Sequence, residues 1–314
     1  MDPQAVAHRF DGHVLGVEAE AGRQVASTQI PIDRCPLKPA YDGQVKAGWD
    51  NHITIPRSGM PRFASRLNLL PAQLHQALRE RRLLKVIAGL TNFEAAAVER
   101  ISRAAGQGGA DLIDIACDPE LVKLAAEASG LPICVSAVDP ELFPAAVAAG
   151  AAMVEIGNYD AFYPLGRVFD AEEVLAITRR TRELLPEVVL SVTVPHVLPL
   201  DQQEQLAVDL VAAGADIIQT EGGTSAKPFS AGSLGLIEKA APTLAAAFSI
   251  SRAVTVPVLC ASGLSAVTVP MAIASGAAGV GVGSAVNKLN NELAMVAVVR
   301  GLREALGEGV KAAV

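Results

Sequence analysis

The stretch Ala212-Ala213-Gly214-Ala215-Asp216-Ile217-Ile218-Gln219-Thr220-Glu221-Gly222-Gly223 decides the fold, because an alanine-rich helical end stops at a glycine and a branched run begins at once. Glycine ends a helix in the left-handed conformation without steric cost, and a continuous apolar run directly after it reads as a strand buried on both faces. The same joint recurs as GQGGAD (106–111), AAGAAM (148–153) and ASGAAG (274–279). Two further joints run Gly130-Leu131-Pro132 and Thr255-Val256-Pro257.

Working outward, eight short runs each feed a helical pattern: LLKVIAG (83–89), ADLIDIA (110–116), PICVSA (132–137), MVEIG (153–157), VVLSVTV (188–194), DIIQTEGG (216–223), PVLCASG (257–263) and GVGVGS (279–284). Eight strand-helix units are the number that closes on itself. The expected fold is therefore α/β, a single (β/α)8 TIM barrel over residues 70–314, behind an irregular extension over 1–69. A doubly wound open sheet would carry GxGxxG after its first strand, and none follows Leu83. Leu70, Leu74, Leu78 and Leu83 share helical spacing, with Pro71 in the first helical turn, which predicts a short helix over 70–82 at the barrel's bottom.

Composition narrows the function. The chain of 314 residues carries a net charge of -7, with its bases scattered, which argues against nucleic acid as a partner. No run of 18 apolar residues is present, which argues against a membrane span. The start MDPQAVAHRFDGH lacks a signal-peptide pattern, and Asp2, Asp11, Glu18 and Glu20 argue against a transit peptide. Cys35, Cys117, Cys134 and Cys260 show no CxxC spacing and read as reduced thiols in a cytoplasmic compartment.

Barrels of this kind place their chemistry at the C-terminal strand ends. Ser262-Gly263-Leu264 after strand seven and Gly281-Val282-Gly283-Ser284 after strand eight bring small residues to such ends, where backbone N–H groups and the helix beginning near Ala285 can meet a phosphate. Lys85 is a charge inside an apolar strand. It suits a base, a Schiff-base nucleophile, an anion holder or a structural ion pair. Its expected partners are Asp114, Glu155, Gln219 and Glu221, joined by Ser136 and Thr193 where strands three and five turn those positions inward. On this reading Lys85→Met preserves the fold and removes activity.

His196 follows strand five and stands near these carboxylates. One His near three carboxylates could bind a divalent metal, but without a metal-ligand spacing the preferred reading is a hydrogen-bonding or acid-base group, and no metal is expected. Asn158, Thr193, Gln219, Gly222 and Gly223 are the remaining candidates for holding substrate. The loop Glu221–Ser233, with Lys227 at its centre, has the composition of a lid. Tyr159, Phe162 and Tyr163 in the loop after strand four suit stacking on a ring or sugar face.

The motifs KVIAGLTNF, GGADLIDIACDP, PICVSAVDP, MVEIGNYDAFY, SVTVPHVLPL, ADIIQTEGG and ASGLSAVTVPMAIASGAAGVGVGSAVNKL resemble the hypothetical chloroplast open reading frame twenty-three family of cyanobacteria and red-lineage plastids. The resemblance spans about Leu84 to Leu302 and implies an aldolase-type barrel, with a plastid-stroma setting in algal relatives. GGADLIDIA with GADIIQT also looks like the sugar-phosphate epimerases of the ribulose-phosphate-binding barrels. GADIIQTEGG with ASGL and GVGVGSAV looks like flavin mononucleotide barrels such as nitronate monooxygenases.

The leading expectation is a lyase or isomerase of a small phosphorylated molecule, with Lys85 and Glu221 or Asp114 moving protons and Ser262, Gly263, Gly283 and Ser284 holding phosphate. The alternatives are an FMN oxidoreductase with the same grip and a non-catalytic phosphometabolite sensor. A homo-oligomer is compatible with each.

Overall fold

The computed structural model describes residues 62–307. Of the expected irregular extension over 1–69, residues 1–61, with Cys35 and Trp49, lie outside the described residues. Its last part, Arg62–Leu69, is regular and forms a 3-10 helix. Its Arg66 reaches Asp216 at 2.8 Å and the Gly214 carbonyl at 3.1 Å.

Eight strands follow: β1 (Leu83–Gly89), β2 (Leu112–Ala116), β3 (Ile133–Ala137), β4 (Met153–Ile156), β5 (Val189–Thr193), β6 (Ile217–Gln219), β7 (Val258–Ala261) and β8 (Gly279–Val282). They pair in parallel in sequence order, and β8 pairs back on β1 to close the barrel. The helices are α1 (Ala72–Arg79) before β1 and then α2 (Ala95–Gly108), α3 (Pro119–Ser129), α4 (Phe143–Ala148), α5 (Ala171–Leu184), α6 (Leu200–Ala212), α7 (Gly232–Ala253), α8 (Val269–Ala274), α9 (Ser284–Asn287) and α10 (Glu292–Leu306). All eight strand expectations correspond to strands. β6 is only three residues long, so Glu221 lies just past its end.

The repeated Gly-Ala-Asp joints have a physical basis. Gly109 stops α2 in the left-handed region, with φ 84°. Two residues later Asp111 accepts the Leu84 N–H at 2.8 Å, and in the matching joint Asp216 accepts the Leu190 N–H at 3.0 Å. Each carboxylate thus ties its own strand entry to the neighbouring strand. Arg303 pairs with Asp111 and Arg182 with Asp216, which balances the charge.

Strand periodicity sorts the interior into layers. Outward residues such as Leu84, Val86, Ile113, Val135, Val154 and Leu190 pack under the helices. Inward, Leu83, Leu112, Cys134, Met153, Val189, Ile217 and Leu259 form a lower layer packed against Leu70, Leu74 and Leu78. Two residues further along β1 to β6 the interior turns polar. Lys85, Asp114, Ser136, Glu155, Ser191 and Gln219 occupy this middle layer, and every one is buried.

Candidate functional site

Polar groups on six neighbouring strands cannot stay buried without partners. Lys85 Nζ lies 2.6 Å from Glu155 Oε2 and 3.7 Å from Asp114 Oδ2. Ser136 donates to Asp114 Oδ1 at 2.6 Å, Ser191 donates to Glu155 Oε2 at 2.8 Å, and Gln219 donates to Glu155 Oε1 at 2.6 Å. Thr193 Oγ1 accepts from Gln219 at 3.2 Å. Burial opposes the charge on Lys85, but Glu155 and then Asp114 outweigh it and hold the ammonium above its ordinary range. Burial also raises Asp114, up to about 6, against the pull of Lys85.

Asn158 closes this layer from above. Its backbone adopts the left-handed conformation, φ 63°, unusual for a residue with a side chain. From there its amide nitrogen reaches Asp114 and Ser136 at 3.3 Å and Glu155 at 3.2 Å. Strain at such a position persists only where the surroundings fix it, and three acceptors do so here.

A second cluster stands at the barrel mouth, at the ends of β4, β5 and β6. Glu221 Oε1 accepts from the His196 backbone N–H at 3.2 Å, lies 3.1 Å from His196 Nδ1 and accepts from the Tyr163 hydroxyl. Asp160 Oδ2 accepts from Ser262 Oγ at 2.8 Å. Burial raises the Glu221 carboxyl. On His196 burial works the other way, but the hydrogen bond to Glu221 and the negative charges of Glu221 and Asp160 together outweigh it and raise the imidazole. The five expected catalytic groups therefore divide: Lys85, Asp114 and Glu155 lie together inside the barrel, while His196 and Glu221 lie together at its mouth.

The expected phosphate residues also divide. Gly281 sits within β8 in the middle layer, where an added Cβ would stand 2.9 Å from Ala261 Cβ and 3.1 Å from Ile87 Cδ1. Its lack of a side chain makes room inside the barrel, away from the loops. The Leu264 side chain is buried in the outer core. Ser262-Gly263 and Gly283-Ser284 do stand at strand ends. The backbone N–H groups of Gly263, Leu264, Gly283, Ser284 and Ala285 have no acceptor among the described residues. The helix expected to aim its dipole here, α9, is only four residues long, so the local hydrogen-bond donors are those N–H groups and not a macrodipole. Gly222-Gly223 packs beside the β7 turn: a Cβ on Gly223 would stand 2.3 Å from Gly263 Cα.

One loop expectation changes. Tyr159 packs tilted on Phe169 and Phe162 packs edge-on to it, with ring centroids 4.6 and 5.4 Å apart, so both rings pin the loop after β4. Only Tyr163 turns to the mouth, edge-on to His196 at 5.0 Å. In the loop after β6, Lys227 is exposed, and Glu238 accepts from the Phe229 and Ser230 N–H groups at 2.8 and 2.9 Å.

Sequence reasoning missed Ser191 and the binding of Asp160 to Ser262. Ser191 was legible, since it shares the inward parity of Thr193. Asp160 was not, because a 3-10 turn and not a strand aims it. The Asp160 and Glu221 carboxylates gather at the mouth. A flavin ring gains negative charge on reduction, so these acids would not suit it there.

A closed eight-stranded barrel with polar groups gathered at the C-terminal strand ends defines an aldolase-type (β/α)8 barrel. The chain belongs to the family described as proteins of unknown function DUF561, whose model matches residues 70–311. The uncharacterized protein ycf23 of Cyanophora paradoxa is 45% identical over 220 residues, covering 70% of this chain and 90% of the relative. Among solved structures, GGGPS from Thermoplasma volcanium matches with a TM-score of 0.53 at 12% identity, over 76% of this chain and 99% of that one. A 3-hexulose-6-phosphate synthase matches with a TM-score of 0.51 at 17% identity, over 71% of this chain and 99% of that one. At these identities the structural likeness speaks for the fold alone. No helix among the described residues is long and apolar enough to cross a membrane.

Proposed function

We propose that the barrel binds a small phosphorylated molecule at the turns after β7 and β8 and moves a proton on it, as an isomerase or lyase. The observation that carries this reading is the buried charged layer of Lys85, Asp114 and Glu155, since packing alone does not call for a triad of charges inside a barrel. The unpartnered N–H groups at Gly263, Leu264, Gly283 and Ser284 supply the phosphate grip. The similar 3-hexulose-6-phosphate synthase fold supports a phosphorylated substrate.

In this reading Asp114, raised to about 6, is the proton acceptor, because its protonation changes near neutral pH. Lys85 remains an ammonium and stabilises negative charge developing on an enolate. A Schiff base would need the neutral amine, which Glu155 and Asp114 oppose. Asn158 shields the layer and swings aside as the substrate's carbonyl end enters. Tyr163 and His196 hold that end from the mouth. The unpaired state of Cys117, Cys134 and Cys260 supports a reducing compartment such as the cytoplasm or a plastid stroma.

The test is exchange of substrate hydrogen. Phosphorylated ketoses and aldoses incubated in deuterated water with the full chain should gain one deuterium in at least one compound, and Asp114→Asn should abolish the gain. No exchange in any phosphorylated carbonyl compound would remove the proton-transfer reading.

A further inference from the structure

The mouth cluster has a property that hydrogen bonding alone leaves unexplained. Glu221 is 3% exposed, yet its Oε2 has no partner among the described residues. A buried carboxylate oxygen without a donor is costly, and such an atom calls for a proton, a water or a cation. Asp160 and Glu221 stand close together, and neither has a lysine or arginine partner among the described residues.

We infer that Asp160, His196 and Glu221 form a divalent cation site at the barrel mouth. One ligand atom from each residue lies within 4.8 Å of the others. His196 Nδ1 is 3.1 Å from Glu221 Oε1 and 3.8 Å from Asp160 Oδ1. With metal–ligand bonds of about 2.2 Å, neighbouring octahedral ligands stand about 3.1 Å apart and opposite ones about 4.4 Å, so the cluster needs little movement to close on an ion. Two carboxylates and one imidazole suit Mn²⁺ or a similar first-row ion over a thiophilic one.

The surroundings are those of a held site. Ser262 Oγ donates to Asp160 Oδ2 at 2.8 Å and Ser225 Oγ to Oδ1 at 3.3 Å, while Tyr163 donates to Glu221. Such donors orient carboxylate ligands and are part of what fixes affinity. The ligands come from the ends of three successive strands, which is why no short spacing motif announces them. An ion here would lie beside the Ser262 turn and could take up charge from a phosphate or carbonyl oxygen, but its binding does not depend on that substrate reading.

The experiment uses the chelator-stripped full chain titrated with Mn²⁺ alone and followed by electron paramagnetic resonance of the free ion. One tightly held Mn²⁺ per chain is expected. Glu221→Gln and Asp160→Asn should each weaken it by about tenfold or more, and Glu120→Gln, on the exposed face of α3, should leave it unchanged. Asp160 is less buried than Glu221, 14% against 3% exposed, so its variant tests the site even if Glu221→Gln disturbs folding. Absence of binding by the wild type, or wild-type affinity in Asp160→Asn and Glu221→Gln, overturns the proposal. Because no phosphate is present, either result leaves the phosphate reading to its own test.

Discussion

Lys85 on β1 and Glu155 on β4 meet at 2.6 Å inside the barrel, and neither side chain has any exposed surface. Their meeting means that the two charges are inseparable in energy. Removing one leaves the other buried and uncompensated, which typically costs about 3 to 5 kcal/mol.

Sequence reasoning expects Lys85→Met to keep the fold and lose activity, and the geometry changes that expectation. The single variant should lose about 3 to 5 kcal/mol in denaturant unfolding, while Lys85→Met combined with Glu155→Gln should recover much of the loss. Equal stability of the single variant and the wild type would mean that the pair is not formed.

A second prediction concerns pH. Burial raises the folded-state pKa of Asp114 from 3.8 to about 6. Between those values the folded state binds more protons than the unfolded chain. The stability that this group contributes is full below the unfolded value and is lost as pH rises through about 6. The stability of the wild type relative to Asp114→Asn should therefore fall as the pH is raised from about 4 to about 6, read from urea midpoints. A difference that stays flat, or that grows with pH, contradicts the assignment.

The two glycine turns should respond differently to substitution. A Cβ on Gly283 meets nothing closer than 3.5 Å, so Gly283→Asp should fold normally while placing a carboxylate in the anion's position. A Cβ on Gly223 would strike the Gly263 backbone, so Gly223→Ala should lower the melting temperature. Phosphate-induced thermal shift should vanish in Gly283→Asp without loss of basal stability. A retained shift would place the anion elsewhere.

The chain before Met60 can be tested by truncation. The 3-10 helix Arg62–Leu69 and its Arg66 contact to Asp216 lie after this methionine. A chain beginning at Met60 should match the full length in melting temperature. A loss of several degrees, about 1 to 2 kcal/mol, would show that the earlier residues belong to the fold.

Much of the barrel is legible in the residues. The Gly-to-strand joints at Gly109, Gly150, Gly214 and Gly276 mark where each unit restarts, and strand parity sends Lys85, Asp114 and Glu155 to one side. Parity acts at short range, so the sequence carries it. The separation of that triad from His196 and Glu221 was not legible, because it depends on depth along the barrel axis and on Asn158 filling the space between. Gly281 looked like a loop glycine for the same reason: its place inside β8 follows from the strand register. The packing of Tyr159 and Phe162 on Phe169 depends on a later turn that no periodicity describes.

Native mass spectrometry of the protein purified from cells tests the central claim most directly. The account predicts a bound phosphorylated compound that is carried by the wild type and lost in Gly283→Asp, with both proteins folded. A compound without phosphate, or a phosphorylated one retained by Gly283→Asp, would contradict it.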